Sequence, residues 1–129
     1  MIIMRLIFLL ILSSITLHSQ DNVKSIDYDE YLKISKSKEF LIIDVRTPDE
    51  YEINRIKKSI NINFYNKNFI DIFKKFEYDK NILIYCRSGR RSLQAVKILS
   101  EKGYTKIYDL KGGVLALDKS IIDFNSLND

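Results

Sequence analysis

The sequence contains one cysteine and one histidine, and these low counts exclude several kinds of functional site. The histidine is His18, near the N-terminus, and the cysteine is Cys86. A single cysteine cannot form an internal disulfide, so its thiol is inert, bonded to another molecule or reactive. A zinc site is excluded in practice, because these residues cannot supply the usual ligands. We expect neither a metal nor a cofactor.

Long apolar runs are also missing, apart from one near the N-terminus that is typical of a secretory signal peptide. Met1–Arg5 is a short basic start, Leu6–Leu17 is mostly apolar, and small and polar residues follow. The apolar run is shorter than the ~20 residues of a membrane span. We expect residues 1–19 to be cleaved, which gives an exported protein, periplasmic or secreted, without a stable membrane span. An uncleaved N-terminal anchor is the alternative.

Neither sign of charge dominates the remaining chain, residues 20–129, which is long enough for one domain. It carries 20 basic residues (21 less Arg5) against 17 acidic ones, a net charge of about +3. The basic residues are scattered, and no Lys/Arg-rich block has interleaved aromatic residues. The sequence therefore predicts no nucleic-acid partner. Without His18, a Cys–His nucleophile pair is also impossible.

Short β-rich runs alternate with helical runs along the domain. The predicted strands are Val23–Ile26, Phe40–Val45, Ile60–Ile62, Asn81–Cys86 and Lys106–Leu110. The predicted helices run through Tyr31–Ile34, Thr47–Ile53, Asn66–Phe76 and Ser92–Lys102, with a short one from Gly112-Gly113 to about Lys119. No firm pattern marks the tail to Asp129. This alternation predicts an α/β domain, a three-layer arrangement with a mostly parallel central sheet and helices on both faces.

Two helix starts carry capping signals. Asp27 is followed three residues later by Glu30, which is typical of an N-terminal cap. Thr47 is followed by Pro48 at the first helical position and by Glu50 three residues after the cap. Both patterns predict helices that begin directly after the capping residue.

Cys86 ends the most strand-like segment, and ligands of parallel sheets bind outside the carboxyl ends of the strands. The predicted helix from Ser92 directs its first amides and its positive dipole end at the loop between them. Gly89 allows that loop to bend into an anion-binding nest. Such surroundings can lower a cysteine pKa from ~8.5 to ~3.5–7.5. We therefore predict Cys86 as a nucleophilic thiolate. The predicted binding residues for a small oxyanion are Arg87, Ser88, Gly89, Arg90, Arg91 and Ser92.

A structural alternative exists for Cys86, because a free cysteine at the end of an apolar strand is often only a small buried side chain. Three arginines within five residues of the thiol argue against it. Such clustering has an electrostatic cost that packing does not offset, and it suggests that an anion binds there.

Four elements of the sequence, in the right order over about Ser25–Leu117, resemble the rhodanese family. They are Ile43-Asp44-Val45-Arg46 with Glu50-Tyr51, Ser59-Ile60-Asn61-Ile62, the loop Cys86 to Ser92, and Leu110-Lys111-Gly112-Gly113. The exported single-domain format is similar to that of the periplasmic phage-shock rhodanese of enteric bacteria.

The resemblance implies a sulfurtransferase that moves sulfur from thiosulfate or a persulfide to a thiophilic acceptor. Cys86 would carry the sulfur as a persulfide, backbone N–H groups of the loop would hold it, and the three loop arginines would be charge partners. A protein thiol is a possible acceptor. Arg46 is expected to pair with Glu50 and to fix a corner of the fold rather than to bind substrate.

The sequence departs from the family pattern in three places. Asn54-Arg55-Ile56 replaces the usual Gly-His-Ile, Lys58-Ser59 replaces a small Gly-Ala pair, and Leu117 replaces an aromatic residue. These changes leave the cysteine loop intact but put in doubt which acceptors dock at its edges.

Two other functions remain as alternatives. One is a sulfur carrier or oxidant sensor that works without steady turnover. The other, less favoured, is a cysteine phosphatase of the related dual-specificity type, which needs a Cys-x5-Arg loop. Ser92 occupies that arginine position, and Arg91 comes one residue early. The shorter loop suits a sulfur atom better than a phosphoryl group.

Overall fold

The computed structural model describes residues 23–124, so the predicted signal segment, residues 1–19, lies outside the described residues. The strands are β1 (Lys24–Ile26), β2 (Leu41–Asp44), β3 (Asn54–Ile56), β4 (Ile60–Asn61), β5 (Ile82–Tyr85), β6 (Ile107–Leu110) and β7 (Ile122–Phe124). The helices are α1 (Tyr28–Ser35), α2 (Pro48–Ile53), α3 (Phe69–Phe73) and α4 (Arg90–Glu101), with 3-10 turns at Gly113–Ala116 and Lys119–Ile121. Within this range no helix has the length and apolar character to cross a membrane.

The central sheet is parallel throughout, with the strand order β1-β6-β5-β2-β4. Every predicted strand lies in this sheet, and the predicted α/β class is confirmed. β5 is the middle strand, so Cys86 leaves the sheet at its centre. The carboxyl ends of β2 and β6 flank it on either side.

Helices cover both faces of this sheet. Ile82 and Ile84 of β5 pack in one apolar cluster with residues of α3 and α4. Leu83 and Tyr85 pack in the opposite cluster, which residues of α1 adjoin. All four side chains are fully buried, which is why this segment is continuously apolar rather than alternating with polar residues.

The two capping predictions are confirmed. The Asp27 side chain accepts a hydrogen bond from the Glu30 amide at 2.8 Å. Thr47 and Glu50 form a reciprocal capping box, in which the Thr47 amide donates to Glu50 Oε2 at 3.0 Å. This box fixes where the chain turns after β2 and so positions Glu50 for the site described below.

Two predicted helices differ in extent from the structure, and one small sheet was not predicted. The helix expected over Asn66–Phe76 is confined to Phe69–Phe73, because the Asn66 side chain accepts from the Asn68 amide and stabilises a turn instead. The helix expected from Ser92 begins at Arg90. No strand was predicted for β3 or β7, yet these segments form a small antiparallel sheet.

Candidate active site

The sulfur of Cys86 lies at the N-terminus of α4, where hydrogen-bond donors surround it. The Gly89 amide donates to Sγ at 3.1 Å and the Ser92 amide does so at 3.5 Å. Ser92 Oγ lies 3.4 Å from Sγ. Gly89, the N-cap residue, has φ +101°, a left-handed conformation that aims its amide inward. This geometry is the anion nest that the sequence predicts.

These donors decide the ionisation of the thiol. Burial raises the pKa of Cys86, because the residue is 1% exposed. Hydrogen bonds from the Ser92 hydroxyl and from the Ser92, Gly89 and Ser88 amides lower the pKa further than burial raises it, so it lies below the ordinary value. The thiolate is favoured chiefly by converging amides and one hydroxyl.

The three loop arginines differ in where their side chains lie. Arg87 and Arg90 extend into solvent together with Ser88. In the described residues, no guanidinium group is a hydrogen-bond donor to Cys86 Sγ. The predicted binding residues thus form three groups: Gly89 and Ser92 at the sulfur, the exposed side chains at the mouth of the loop, and the partly buried Arg91.

Arg91 binds Glu50 of α2. Its Nη1 and Nη2 lie 2.7 Å and 2.8 Å from the two carboxylate oxygens. These bonds lower the pKa of Glu50 to about 2. They also raise the pKa of Arg91, with a smaller contribution from the charge of Cys86. The ion pair fastens the cysteine loop to the turn after β2 and holds a positive charge near the sulfur.

The expected Arg46–Glu50 pair is wrong. Arg46 is buried and binds Asp44, with Nη2 2.7 Å from Oδ2, and it also donates to the side chain and carbonyl of Asn54. Asp44 is fully buried and lies only two residues away, so its carboxylate satisfies the buried guanidinium. These contacts make Arg46 and Asp44 part of the architecture between β2 and β3.

The turn at Gly112-Gly113 holds the backbone of the cysteine loop. The Val114 amide donates to the Cys86 carbonyl at 3.0 Å, and the Leu115 amide donates to the Arg87 carbonyl at 3.2 Å. Gly113 has φ +59°, and a Cβ there would collide with both carbonyls. Only glycine allows this close approach, which explains the closing Gly-Gly of the motif.

One residue of the site was missed from the sequence. Asp109 of β6 is 3% exposed, and its Oδ1 accepts from Ser92 Oγ at 2.5 Å. Ser25 Oγ donates to its other oxygen at 2.8 Å. Burial raises the pKa of Asp109, and the two hydroxyls offset part of that rise. A carboxylate inside an apolar strand, between Tyr108 and Leu110, was the signal that could have revealed it.

A cavity of about 190 Å³ lies beside the loop. Its lining residues are Arg46, Glu50, Ile53, Asn54, Arg87, Val114 and Leu115. Ile53 is 56% exposed and Leu115 is 62% exposed, so the cavity has an apolar rim next to the basic Arg87. In the part of the chain that the structure describes, no three His, Cys, Asp or Glu side chains cluster closely enough to hold a metal ion.

Comparisons with known proteins identify relatives of this chain. A sulfurtransferase of Allochromatium vinosum is 32% identical over 85 residues, which cover 65% of this chain and 77% of that protein. A tRNA uridine(34) hydroxylase of Pelagibacter ubique is 34% identical over 103 residues, which cover 79% of this chain but 34% of the hydroxylase. The chain thus spans about a third of the length of that relative.

A rhodanese-like domain protein from Staphylococcus aureus has a similar crystal structure, with a TM-score of 0.69 and 28% sequence identity. The match covers 81% of this chain and all of that one. Residues 27–120 match the rhodanese-like domain family, and they contain Cys86, the loop and the Gly-Gly turn. The chain belongs to the rhodanese-like domain family.

Proposed function

We propose that this protein is a sulfurtransferase that carries a sulfane sulfur as a persulfide on Cys86. The observation that carries the proposal is the set of polar groups at Sγ: the Gly89 and Ser92 amides, which donate at 3.1 and 3.5 Å, and the Ser92 hydroxyl, which lies 3.4 Å away. They favour the thiolate, which is the nucleophilic form of cysteine. A relative that is named as a sulfurtransferase supports the same chemistry.

Thiosulfate is the simplest donor for this reaction. The Cys86 thiolate attacks the sulfane sulfur, a new S–S bond forms, and the bond to the sulfite sulfur breaks. Sulfite leaves with that electron pair, and the persulfide keeps one negative charge on its outer sulfur. With a persulfide donor, the leaving group is the donor's thiolate. Neither version needs a histidine or a metal.

The second step regenerates the enzyme. An acceptor thiolate, or cyanide, attacks the outer sulfur, and the Cys86 thiolate leaves. The donors at Sγ stabilise that leaving group as they stabilise the attacking nucleophile. A protein thiol is a suitable acceptor, because the exposed apolar rim of Ile53 and Leu115 adjoins the loop.

In this proposal the exposed arginines attract the sulfur donor and do not contact the sulfur of Cys86. Arg87 and Arg90 extend from the mouth of the loop and attract an anionic donor. The ion pair with Glu50 keeps the Arg91 charge near the loop. Cys86 is 1% exposed, so only a narrow route leads to its sulfur. A small anion suits this route.

Two other activities, tRNA hydroxylation and phosphate hydrolysis, have less support. The tRNA uridine(34) hydroxylase activity belongs to a protein of which this chain spans 34%, so we do not extend it to this chain. The phosphatase alternative requires an arginine where Ser92 lies, and Ser92 instead contacts the sulfur.

Intact-mass spectrometry of the reduced protein, with and without thiosulfate, tests the proposal. We expect a gain of about 32 mass units, one sulfur atom, that cyanide removes with formation of thiocyanate. The Cys86→Ser variant is the matched control and should gain nothing. If the parent gains no sulfur, or if the serine variant transfers sulfur equally well, the proposal fails.

Steady turnover separates an enzyme from a carrier or sensor. Repeated transfer from thiosulfate to cyanide supports the enzyme, whereas one sulfur per chain without turnover supports the carrier. Turnover of an aryl phosphate without any sulfur transfer would support the phosphatase instead.

We also propose that residues 1–19 direct export and are removed. The N-terminal sequence of the protein recovered from the periplasm or the medium tests this. A start near Gln20 is expected, and a chain that retains Met1 in the membrane fraction would support the anchor instead.

A further inference from the structure

Hydrogen bonds link the side chains of Cys86, Ser92 and Asp109 in a series. Asp109 is a buried carboxylate that the proposed sulfur transfer does not use. Cys86 Sγ lies 3.4 Å from Ser92 Oγ, and Ser92 Oγ lies 2.5 Å from Asp109 Oδ1. All three residues are buried, with exposures of 1%, 0% and 3%. A continuous hydrogen-bonded path therefore runs from the thiol to a buried carboxylate, whose other side-chain partner is the exposed Ser25.

Asp109 lacks the partner that usually accompanies a buried carboxylate. Within residues 23–124 it forms no ion pair with a lysine or arginine. Its only side-chain hydrogen bonds in that range are with Ser92 and Ser25, both hydroxyls. An unpaired buried carboxylate is costly when charged and much less so when protonated. This position thus favours a carboxyl group that gains a proton.

The Ser92 hydroxyl has a single proton, so the protonation state of Cys86 depends on that of Asp109. When Ser92 donates to Asp109, its lone pairs face the sulfur, and Cys86 can donate its S–H to them. When Ser92 donates to a thiolate, its lone pairs face Asp109, which must then carry the proton. The Gly89 carbonyl, 3.2 Å from Ser92 Oγ, is the one other acceptor within reach among the described contacts.

We propose that Asp109 accepts the Cys86 proton through Ser92 and stores it while the sulfur is a thiolate. The S–H bond breaks as a Ser92 O–H bond forms, and the original Ser92 O–H bond breaks as an Asp109 O–H bond forms. No electron is transferred and the net charge of the trio does not change. The sulfur can thus ionise without releasing a proton to solvent, which matches its burial.

The charged surroundings favour this direction of transfer. Two amides donate to the sulfur, and the Arg91 charge lies on the same side, held by Glu50 of α2. On the Asp109 side, β1 offers only the neutral Ser25. Burial raises the pKa of Asp109, while the amides and the hydroxyl bring the pKa of Cys86 below its ordinary value. The pKa of Asp109 and the pKa of Cys86 are thus shifted toward each other, which favours transfer of the proton from the thiol to the carboxylate.

This inference rests on the proposed use of Cys86 as a nucleophile, but its test needs no sulfur donor. Infrared spectroscopy of the reduced protein with ¹³C-labelled aspartate detects the carbonyl stretch of a protonated aspartic acid at pH 7. We expect that band in the parent. We expect its loss in Cys86→Ser, because a serine hydroxyl does not ionise and gives no proton to Asp109. Cys86→Ala is the second variant if the serine variant fails to fold.

The Ser25→Ala variant is the matched control. It removes the other hydroxyl from Asp109 without touching the sulfur, so the band should remain. A band that persists in Cys86→Ser would show that burial alone protonates Asp109, and a parent without the band would show that Asp109 stays ionised. Either result overturns the relay. Loading of Cys86 with sulfur is measured separately, so a protein that gains sulfur but lacks the band retains the proposed function and loses only the relay.

Discussion

Arg91 and Glu50, 41 residues apart in the sequence, form a two-pronged ion pair at 2.7 Å and 2.8 Å that joins the cysteine loop to the turn after β2. The pair is partly buried, with side-chain exposures of 15% and 29%. The Glu50 carboxylate also completes the capping box of α2. The Glu50 carboxylate thus caps α2 and also holds the cysteine loop in position.

Glu50→Gln should therefore lower the free energy of unfolding by about 1 kcal/mol at pH 7. The pKa of Glu50 falls from an ordinary 4.5 to about 2 on folding. Its contribution is complete above pH 4.5 and is lost as the pH falls through 2, since protonation removes the charge. Urea unfolding at pH 7, 4 and 3 should show the difference between parent and variant shrinking with acidity.

Glu52→Gln is the control for that series. Its side chain is 66% exposed and lies 3.9 Å from Arg55, so the unfolding free energy should hardly change at any of these pH values. A Glu50→Gln effect that stays constant down to pH 3 would contradict the assigned role of the charge.

Ser92→Ala should raise the pKa of the Cys86 thiol. The substitution removes the hydroxyl 3.4 Å from Sγ, while the Ser92 amide remains. With one donor fewer, burial opposes the thiolate more strongly. The rate of alkylation by iodoacetamide, measured against pH, reports the thiolate fraction. Ser100→Ala, on the same helix but away from the sulfur, should leave the profile in place, and an unchanged profile in Ser92→Ala would count against the site.

Gly113→Ala should destabilise the fold by about 2 kcal/mol or more and displace the cysteine loop. A methyl group there meets the Cys86 and Arg87 carbonyls, and φ is +59°. Urea unfolding measures the first effect and the iodoacetamide rate the second.

Gly103→Ala is the control for Gly113→Ala, because it introduces backbone strain without a steric clash. Gly103 has φ +106°, but a Cβ there would make only ordinary contacts, at 3.6 and 3.7 Å, with the Tyr78 ring. We expect a loss of about 1 kcal/mol from backbone strain alone. Equal losses of unfolding free energy in Gly113→Ala and Gly103→Ala would mean that the cysteine loop accommodates the methyl group at Gly113 without further destabilisation.

Lys58→Gly should raise the free energy of unfolding by about 1 kcal/mol. Lys58 replaces a family glycine and has φ +63°, a left-handed conformation that a side chain disfavours. Lys58→Ala removes the same lysine side chain but keeps Cβ, so it should not stabilise the protein. Thermal or urea unfolding of the two variants decides the matter, and equal stability would exclude backbone strain at this position.

Local signals in the sequence were sufficient for much of the fold. The capping box at Thr47 and the apolar run before Cys86 depend on neighbouring residues, so their structural outcome follows from short-range rules. The nest around the sulfur was predictable for the same reason. Asp109 was not, because its contact with Ser92 depends on how β6 lies beside β5.

Long-range pairing accounts for the errors. Arg46 was predicted to pair with Glu50, yet Glu50 binds Arg91 in the fold and Arg46 binds Asp44. β3 and β7 are three residues each and pair across a long separation. Strands this short lack a periodic pattern, so the sequence around Asn54–Ile56 gave no sign of a sheet.

The pairing of β1 with β6 has a consequence for biosynthesis. Ser25 lies in register with Asp109, so β1, the first strand of the described residues, has no partner in the sheet until β6 has been made. Ser25 also donates to the Asp109 carboxylate, which accepts from Ser92 beside the Cys86 sulfur, so this hydrogen-bond network is complete only after β1 and β6 have paired. Contacts of such long sequence separation slow folding, and the thiol acquires its special environment only when the two ends of the domain have met.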